Sequence, residues 1–412
     1  MNTKKRILLT GGRGPATLDL ARQFSRLGHD VYVAEAQRIH FCTFSNAVKA
    51  SFVVPSPLID EVGFVDGLKK IITTHKIDYL IPTYDEVYFL SKYKADLSKY
   101  TTVFCDDIEI IDKLNNKQKF VAWMDSLGFN VPQTEVIQSK AEYLDRLQAG
   151  NIPYPHILKP IYTGGGVEVL KIENVEDAIK ADASFPSLVQ EFIEGEGFCT
   201  FGIAHNGQLS CHAIYKPLYI FRQNGAAVCF KAIEDAGILA FTSAIVAEAK
   251  YTGMLGFDLI RKKDGTLWAI ECNPRITNGI HLVETDDHID EHFFGLQSLK
   301  SICPEKARQI SRAAMLRILG LTVKSDYATW LHYLIDSKEV IFDWHDIKPT
   351  LSLPLIGMHF FLQYYRYHKT PEQAIFYNLD WSIDGNTKSV SQAHTLSHPM
   401  SSLFCKPSAR RA

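Results

Sequence analysis

The sequence predicts a chain of mixed α/β and α+β class: an open parallel sheet first, an α+β unit second, and a mainly helical extension last. Three observations carry this. Strand-like and helix-like segments alternate from Arg6 to about residue 110, the pattern of a parallel sheet with helices on its faces. Beyond it, short apolar strands come in pairs around turn signals such as Asn206-Gly207 and Asp264-Gly265, the pattern of hairpins. From about Pro304 the pattern becomes helical and aromatic, and after about Asp384 it turns rich in Ser, His and Arg with little periodicity, as a disordered tail would. The expected units are therefore 1–110, 111–303, 304–383 and 384–412.

At 412 residues the chain can build two or three domains with sizeable cores. A net charge of -2 gives no support for a nucleic-acid or membrane-surface partner. The apolar run Ile7 to Thr10 is too short for a signal segment, and Leu351 to Leu362 is broken by Pro354 and His359. The cysteines include no C-x-x-C pair, so neither zinc nor a disulfide framework is indicated and a reducing cytoplasm is expected.

In order, Arg6–Thr10 reads as a strand, Ala16–Leu27 as a helix and Val31–Glu35 as a strand. The turn between the first two, Gly11-Gly12-Arg13-Gly14-Pro15-Ala16-Thr17, could bind an anion on helix N–H groups. It resembles a dinucleotide fingerprint, with Glu35 where a ribose-binding acid would sit. Thr17 replaces the third glycine and Pro15 removes a donor, so a tight turn in a Rossmann-like unit is the preferred reading over NAD binding. Val65–Thr74 reads as a helix, and Tyr79–Pro82 and Thr102–Cys105 as strands. Ile110–Leu127 reads as one helix, ended by Gly128 with Pro132 beyond. His156–Lys159 is a strand stopped by Pro160, followed by a glycine loop and strands over 167–172, 188–193 and 198–205.

The residue chemistry concentrates in 256–275. Lys262-Lys263-Asp264-Gly265 turns one strand into another, and Glu271 and Asn273, two apart on the second, share a face. Asp258 joins them from the paired strand, giving hard oxygen donors suited to magnesium (or manganese) with phosphates rather than zinc. Arg275 adds a cation for a transferring phosphate. Lys159, beside Gly164, Gly165 and Gly166, fits a polyphosphate cradle or equally a solvated lysine before a flexible hairpin. Strand backbone at Glu191 and Ile193 could bond a flat heterocycle, although the segment alone reads better as an acidic strand end. His288 and His292 form an inverted zinc-protease pattern with no persuasive third ligand, so a polar helix start capped by aspartates is preferred. Arg222 borders a second glycine loop and leans towards an anion contact; His281, in Thr277–His281, is placed to meet a second substrate, but such a lone histidine is more often structural.

Taken in order, these pieces resemble the ATP-grasp superfamily, especially its carboxylate–amine ligases, over roughly residues 5–300. The resemblance implies a pre-domain followed by an ATP-grasp domain of two α+β subdomains. It implies ATP and magnesium as cofactors, with Lys117 and Lys159 on the nucleotide phosphates and Gly164, Gly165 and Gly166 closing over them. Gln190, Glu191 and Ile193 match the adenine strand, Asp258, Glu271 and Asn273 the metal ligands, and Arg275 the arginine that steadies transferred phosphate. Where the family usually carries a ribose-binding glutamate this chain has Gly197, with Glu196 the candidate substitute. The implied reaction joins a small-molecule carboxylate to an amine through an acyl phosphate. The alternatives are phosphoryl transfer to a hydroxyl or enol, or nucleotide binding without turnover. Arg222, His281, Asp85 and Glu86 are expected on the substrate side, and a homodimer is left open.

Overall fold

The computed structural model describes residues 4–162, 169–220, 227–319 and 326–367. Gly164, Gly165, Gly166, Arg222 and the tail expected from 384 lie outside the described residues. The first unit is an open sheet of β1 (Arg6–Thr10), β2 (Asp30–Glu35), β3 (Val48–Val53), β4 (Tyr79–Ile81) and β5 (Thr102–Val103). All pairs are parallel, in the order β3-β2-β1-β4-β5. Helices α1 (Pro15–Arg26), α2 (Phe41–Phe44), α3 (Glu61–His75), α4 (Glu86–Lys92) and α5 (Lys94–Leu97) form the connections. Apolar strands such as Ile7-Leu8-Leu9 are buried because both faces are covered.

The glycine turn is filled from within. The guanidinium of the buried Arg13 donates to Glu35, and the backbone N–H groups of Ala36 and Gln37 donate to the same carboxylate. The ring of Tyr84 lies against Gly14 so closely that a Cβ there would stand 2.0 Å from the hydroxyl. Glu35 is thus a buried structural anion, and the space a dinucleotide would need at this turn is taken.

The segment expected as one helix is two, α6 (Ile108–Asn115) and α7 (Lys117–Ser126). Asn116 is the break: it leaves helical geometry and its side chain accepts from the Lys119 N–H as the N-cap of α7, the role asparagine favours. Next comes a four-stranded antiparallel sheet, β6 (Thr134–Ile137), β7 (His156–Pro160), β8 (Leu170–Ile172) and β9 (Ser187–Glu191), in the order β6-β9-β7-β8. With α8 (Lys140–Gln148) and α9 (Val175–Lys180) it closes its own small core around Ile137, Tyr143, Leu158 and Val189.

The larger sheet contains β10 (Glu196–His205), β11 (Gln208–Ile220), β12 (Ala227–Ile233), β13 (Gly253–Arg261) and β14 (Leu267–Asn273), with α10 (Ala236–Glu248) on one face. One core runs from Leu8 and Leu80 of the first sheet through Phe120 to Phe257 and Leu259, so the pre-domain and this sheet form one packed body. After β14 come α11 (Ile289–Phe293), β15 (Lys300–Ile302), β16 (Arg308–Gln309), α12 (Arg312–Arg317), α13 (Tyr327–Asp336), β17 (Lys338–Glu339), α14 (Lys348–Leu351) and α15 (Leu353–Tyr367). The extension is not only helical: β16 and β17 continue the larger sheet beyond β12. It is also bolted to the pre-domain. Buried Arg22 donates to Asp346 Oδ2 at 2.9 Å and to the carbonyls of Val340 and Ile341, while Ser45 donates to the same carboxylate at 2.6 Å.

The histidine pair expected at a capped helix start is arranged differently. His288 takes left-handed backbone (φ 52°) and α11 has no side-chain cap. His292 is buried with neither ring nitrogen partnered, and His212 Nε2 is likewise unpartnered. Burial pushes His212 down to about 4 from 6.5 and lowers His292 as well. Below the unfolded value the unfolded chain takes up protons that the folded chain refuses. Stability should therefore fall as pH drops from about 6.5 towards 4, with His212 alone contributing on the order of 3 kcal/mol. Denaturant unfolding at pH 7.5 and 5 checks this: His212→Phe should flatten the difference, and an unchanged slope would refute it.

Candidate active site

Five side chains converge where the small sheet faces the larger one. The hairpin of β13 and β14 pairs Asp258 directly with Glu271 and Gly256 with Asn273. Glu271 and Asn273 fall on one face, as their spacing requires. Gly256 is needed by close approach: a Cβ there would lie 2.4 Å from the Thr200 carbonyl and 2.5 Å from Thr277. That contact lets the chain after β14 fold tightly back over the sheet.

Lys159 at the end of β7 and Lys117 at the start of α7 reach the same carboxylate oxygen, Glu271 Oε2, at 3.8 and 3.9 Å. The two lysines enter from different layers and are both buried. Burial above all pushes the Lys159 ammonium down to about 8, against the opposing pull of Glu271 and with the help of the neighbouring Lys117. Burial alone would raise the Glu271 carboxyl, but the two lysines outweigh it and hold it below the usual range. Asp258 is raised, by burial first and by the facing Glu271 second.

A chain of polar contacts continues outward. Asn273 donates to Asp258 Oδ2 at 3.3 Å and accepts from Arg275 at 3.0 Å. Arg275 Nε stands 2.8 Å from Asp85 Oδ1, and the Ile276 N–H donates to the Thr83 carbonyl. The end of β4 in the pre-domain thus holds the arginine from behind. Burial alone would lower the Arg275 guanidinium, but Asp85 keeps it above its ordinary value.

The donor set can be tested for magnesium. Two carboxylates meet in a buried place with one of them raised, a charge conflict that a hard cation relieves. The third donor is an amide oxygen, and neither histidine nor cysteine is needed. Among the described residues no group of three or more His, Cys, Asp or Glu forms a metal site, so the fit rests on two carboxylates, an amide and phosphate oxygens.

Other expected residues are placed as follows. Gln190 is buried in β9 and donates to Thr134 at 2.9 Å; Glu191 ends that strand, its N–H given to the Gln133 carbonyl, and the buried Ile193 follows it. Glu196 is exposed at the start of β10 and paired with Lys216. His281 is drawn away from the cluster: it pairs with Asp19 of α1 at 2.8 Å and lines a polar cavity of about 60 Å³ with Arg22, Glu284 and Arg308. Asp85 is engaged by Arg275, and Glu86 is buried with Oε2 unpartnered. Lys119, two residues after Lys117, pairs instead with Asp112.

Residues 114–279 match the family described as the ATP-grasp domain. Over this stretch the chain is similar to ATP-grasp proteins. The chain is 31% identical over 185 residues to an uncharacterised protein of Methanocaldococcus jannaschii, covering 42% of this chain and 44% of that one. It is 25% identical over 193 residues to the arginine-specific carbamoyl phosphate synthase large chain of Eremothecium gossypii, covering 42% of this chain and 17% of that one. The chain thus spans less than half the length of these curated relatives. The likeness of fold extends further: the L-amino acid ligase of Bacillus licheniformis superposes with a TM-score of 0.53 at 16% identity, over 68% of this chain and 69% of that one. N5-carboxyaminoimidazole synthetase from Staphylococcus aureus, complexed with ADP, superposes with 0.59 at 16% identity, over 74% and 82%.

Sequence reasoning missed the support of this site. Asp112, Asn116 and Tyr162 form a polar network behind the two lysines. The capping preference of asparagine before a lysine-led turn was the signal available for Asn116. No local pattern pointed to Asp112 or Tyr162.

Proposed function

We propose that this chain is an ATP-dependent ligase that joins a carboxylate to an amine through an acyl phosphate, releasing ADP and phosphate. The observation that carries the reading is the meeting of Lys117 and Lys159 on one oxygen of Glu271, beside Asp258 and Asn273. Buried cations gathered around acidic donors suit a polyphosphate whose charge is shared between both. In this reading the two lysines hold the nucleotide phosphates. Gln190, Glu191 and Ile193 line the base, and Glu196 would have to leave Lys216 to reach a ribose. Asp258, Glu271 and Asn273 hold magnesium, which when bound neutralises phosphate charge.

Arg275 is aimed by Asp85 and Asn273 towards the same cleft, where it would steady the transferring phosphoryl group. Catalysis is then positional and electrostatic. A carboxylate oxygen attacks the γ-phosphorus as ADP leaves, and the amine displaces phosphate from the acyl phosphate while losing a proton. Asp85 is committed to Arg275, so Glu86 becomes the preferred pre-domain acid for a substrate ammonium. The solved neighbours of similar fold support the class: an L-amino acid ligase, and a biotin carboxylase domain with MgADP and bicarbonate.

The test is ADP release screened against paired carboxylates and amines, with the product identified by mass. An amide formed with ADP is the expected result. A stable phosphoester would replace the reading by phosphoryl transfer, and no ADP with any pair would reduce it to nucleotide binding.

A further inference from the structure

The small sheet closes its own core, whereas α6 and α7 pack against β14 and share the main core through Phe120 and Phe257. Lys159 therefore belongs to one body and Lys117 to the other. What ties them at this point is a short set of contacts. The Lys117 N–H meets the Ile161 carbonyl at 3.4 Å. Asn116 Nδ2 donates to the Tyr162 hydroxyl at 2.6 Å, and that hydroxyl donates to Asp112 Oδ1 at 2.7 Å. Asp112 is almost fully buried, and its second oxygen is taken by Lys119.

We propose that Tyr162 is a positioning residue: its hydroxyl, bonded on both sides by α6 and the α6–α7 break, sets the spacing of Lys159 and Lys117 across the cleft. The inference rests on the reading of the cleft as an ATP site. The chemistry favours a latch over simple packing. A tyrosine hydroxyl has one proton to give and lone pairs to receive. Here it gives to a carboxylate and receives from an amide, so its direction is fixed by both partners. Asn116 does two tasks with one side chain. Its Oδ1 caps α7, and its Nδ2 reaches Tyr162, two residues past the end of the strand that carries Lys159. A shift of Tyr162 would therefore move the start of α7, with Lys117 as its first residue, relative to β7. The sequence places 163–168 directly after the latch.

The experiment uses the full chain and ATP itself. Tyr162→Phe keeps the ring and removes both bonds. Asn116→Ser keeps a capping oxygen for α7 but cannot reach Tyr162. Both should weaken ATP binding by calorimetry about tenfold, the scale of a lost charge-assisted bond. In turnover both should raise the KM for ATP while leaving the KM of the acceptor unchanged, at a temperature well below melting. A merely structural role would lower the melting temperature and leave the two KM values in their original ratio. Lys159→Ala serves as the reference. If it loses ATP binding while both latch variants bind as the unchanged chain does, the latch is refuted and the ATP site stands. If Lys159→Ala binds ATP normally, the ATP site itself fails.

Discussion

Replacing Glu271 by alanine is expected to cut ADP release at least about a thousandfold, on the order of 4 kcal/mol or more in the transition state, while leaving the protein folded. Glu271 meets both Lys117 and Lys159 through one carboxylate oxygen. Its removal takes away the shared counter-charge of two buried ammonium groups and, in the proposed site, one magnesium donor. Without that charge Lys159, already lowered by burial, would lose its proton more readily and its hold on phosphate. The side chain lies in the cleft rather than in a core, so the cost falls on chemistry more than on folding. Asp258→Asn and Asn273→Ala should follow the same direction. Near-normal ADP release by Glu271→Ala would mean that the hairpin is not the metal and phosphate site.

Lys159→Ala should weaken ATP binding about a hundredfold, since a buried charge-assisted contact is worth about 1.5–3 kcal/mol. Lys119→Ala should stay within about twofold of the unchanged chain. The contrast is geometric. Both lysines of the Lys117–Lys119 stretch lie in the first turn of α7, but only Lys117 points to Glu271, while Lys119 is half exposed and bound to Asp112. Binding isotherms for the three variants, Lys117→Ala included, check the order. A stronger loss from Lys119→Ala than from Lys117→Ala would reverse the assignment.

Much of this arrangement was legible before any coordinates. Alternating strands and helices announced the parallel sheet, and the period of a strand placed Glu271 and Asn273 together. The hairpin turn put Asp258 on the paired strand, but its place directly opposite Glu271 comes from a register shift between Asp258 and Leu259 that no turn signal shows. What stayed hidden depended on partners distant in sequence. Nothing near Asp85 says that Arg275 will occupy it, 190 positions later. Nothing near His281 says that Asp19 of α1 will draw it away. The unbroken helix expected over 110–127 failed for a different reason. Apolar periodicity persists through Asn116, and the competing capping chemistry won at a single residue. Strands β16 and β17, two residues each, are too short for any periodic signal.

Those two short strands have a consequence for the border of the larger sheet. Strand β12 carries Cys229 and Phe230, both fully buried, and β16 runs alongside it with Gln309 opposite Cys229 and Arg308 opposite Phe230. A chain ending near residue 303 would leave this apolar strand as an open border of a large sheet, ready to pair with another molecule. The extension therefore acts as a built-in edge guard. It ends the sheet in a two-residue strand made of charged Lys338 and Glu339, a border that offers a second chain little to extend.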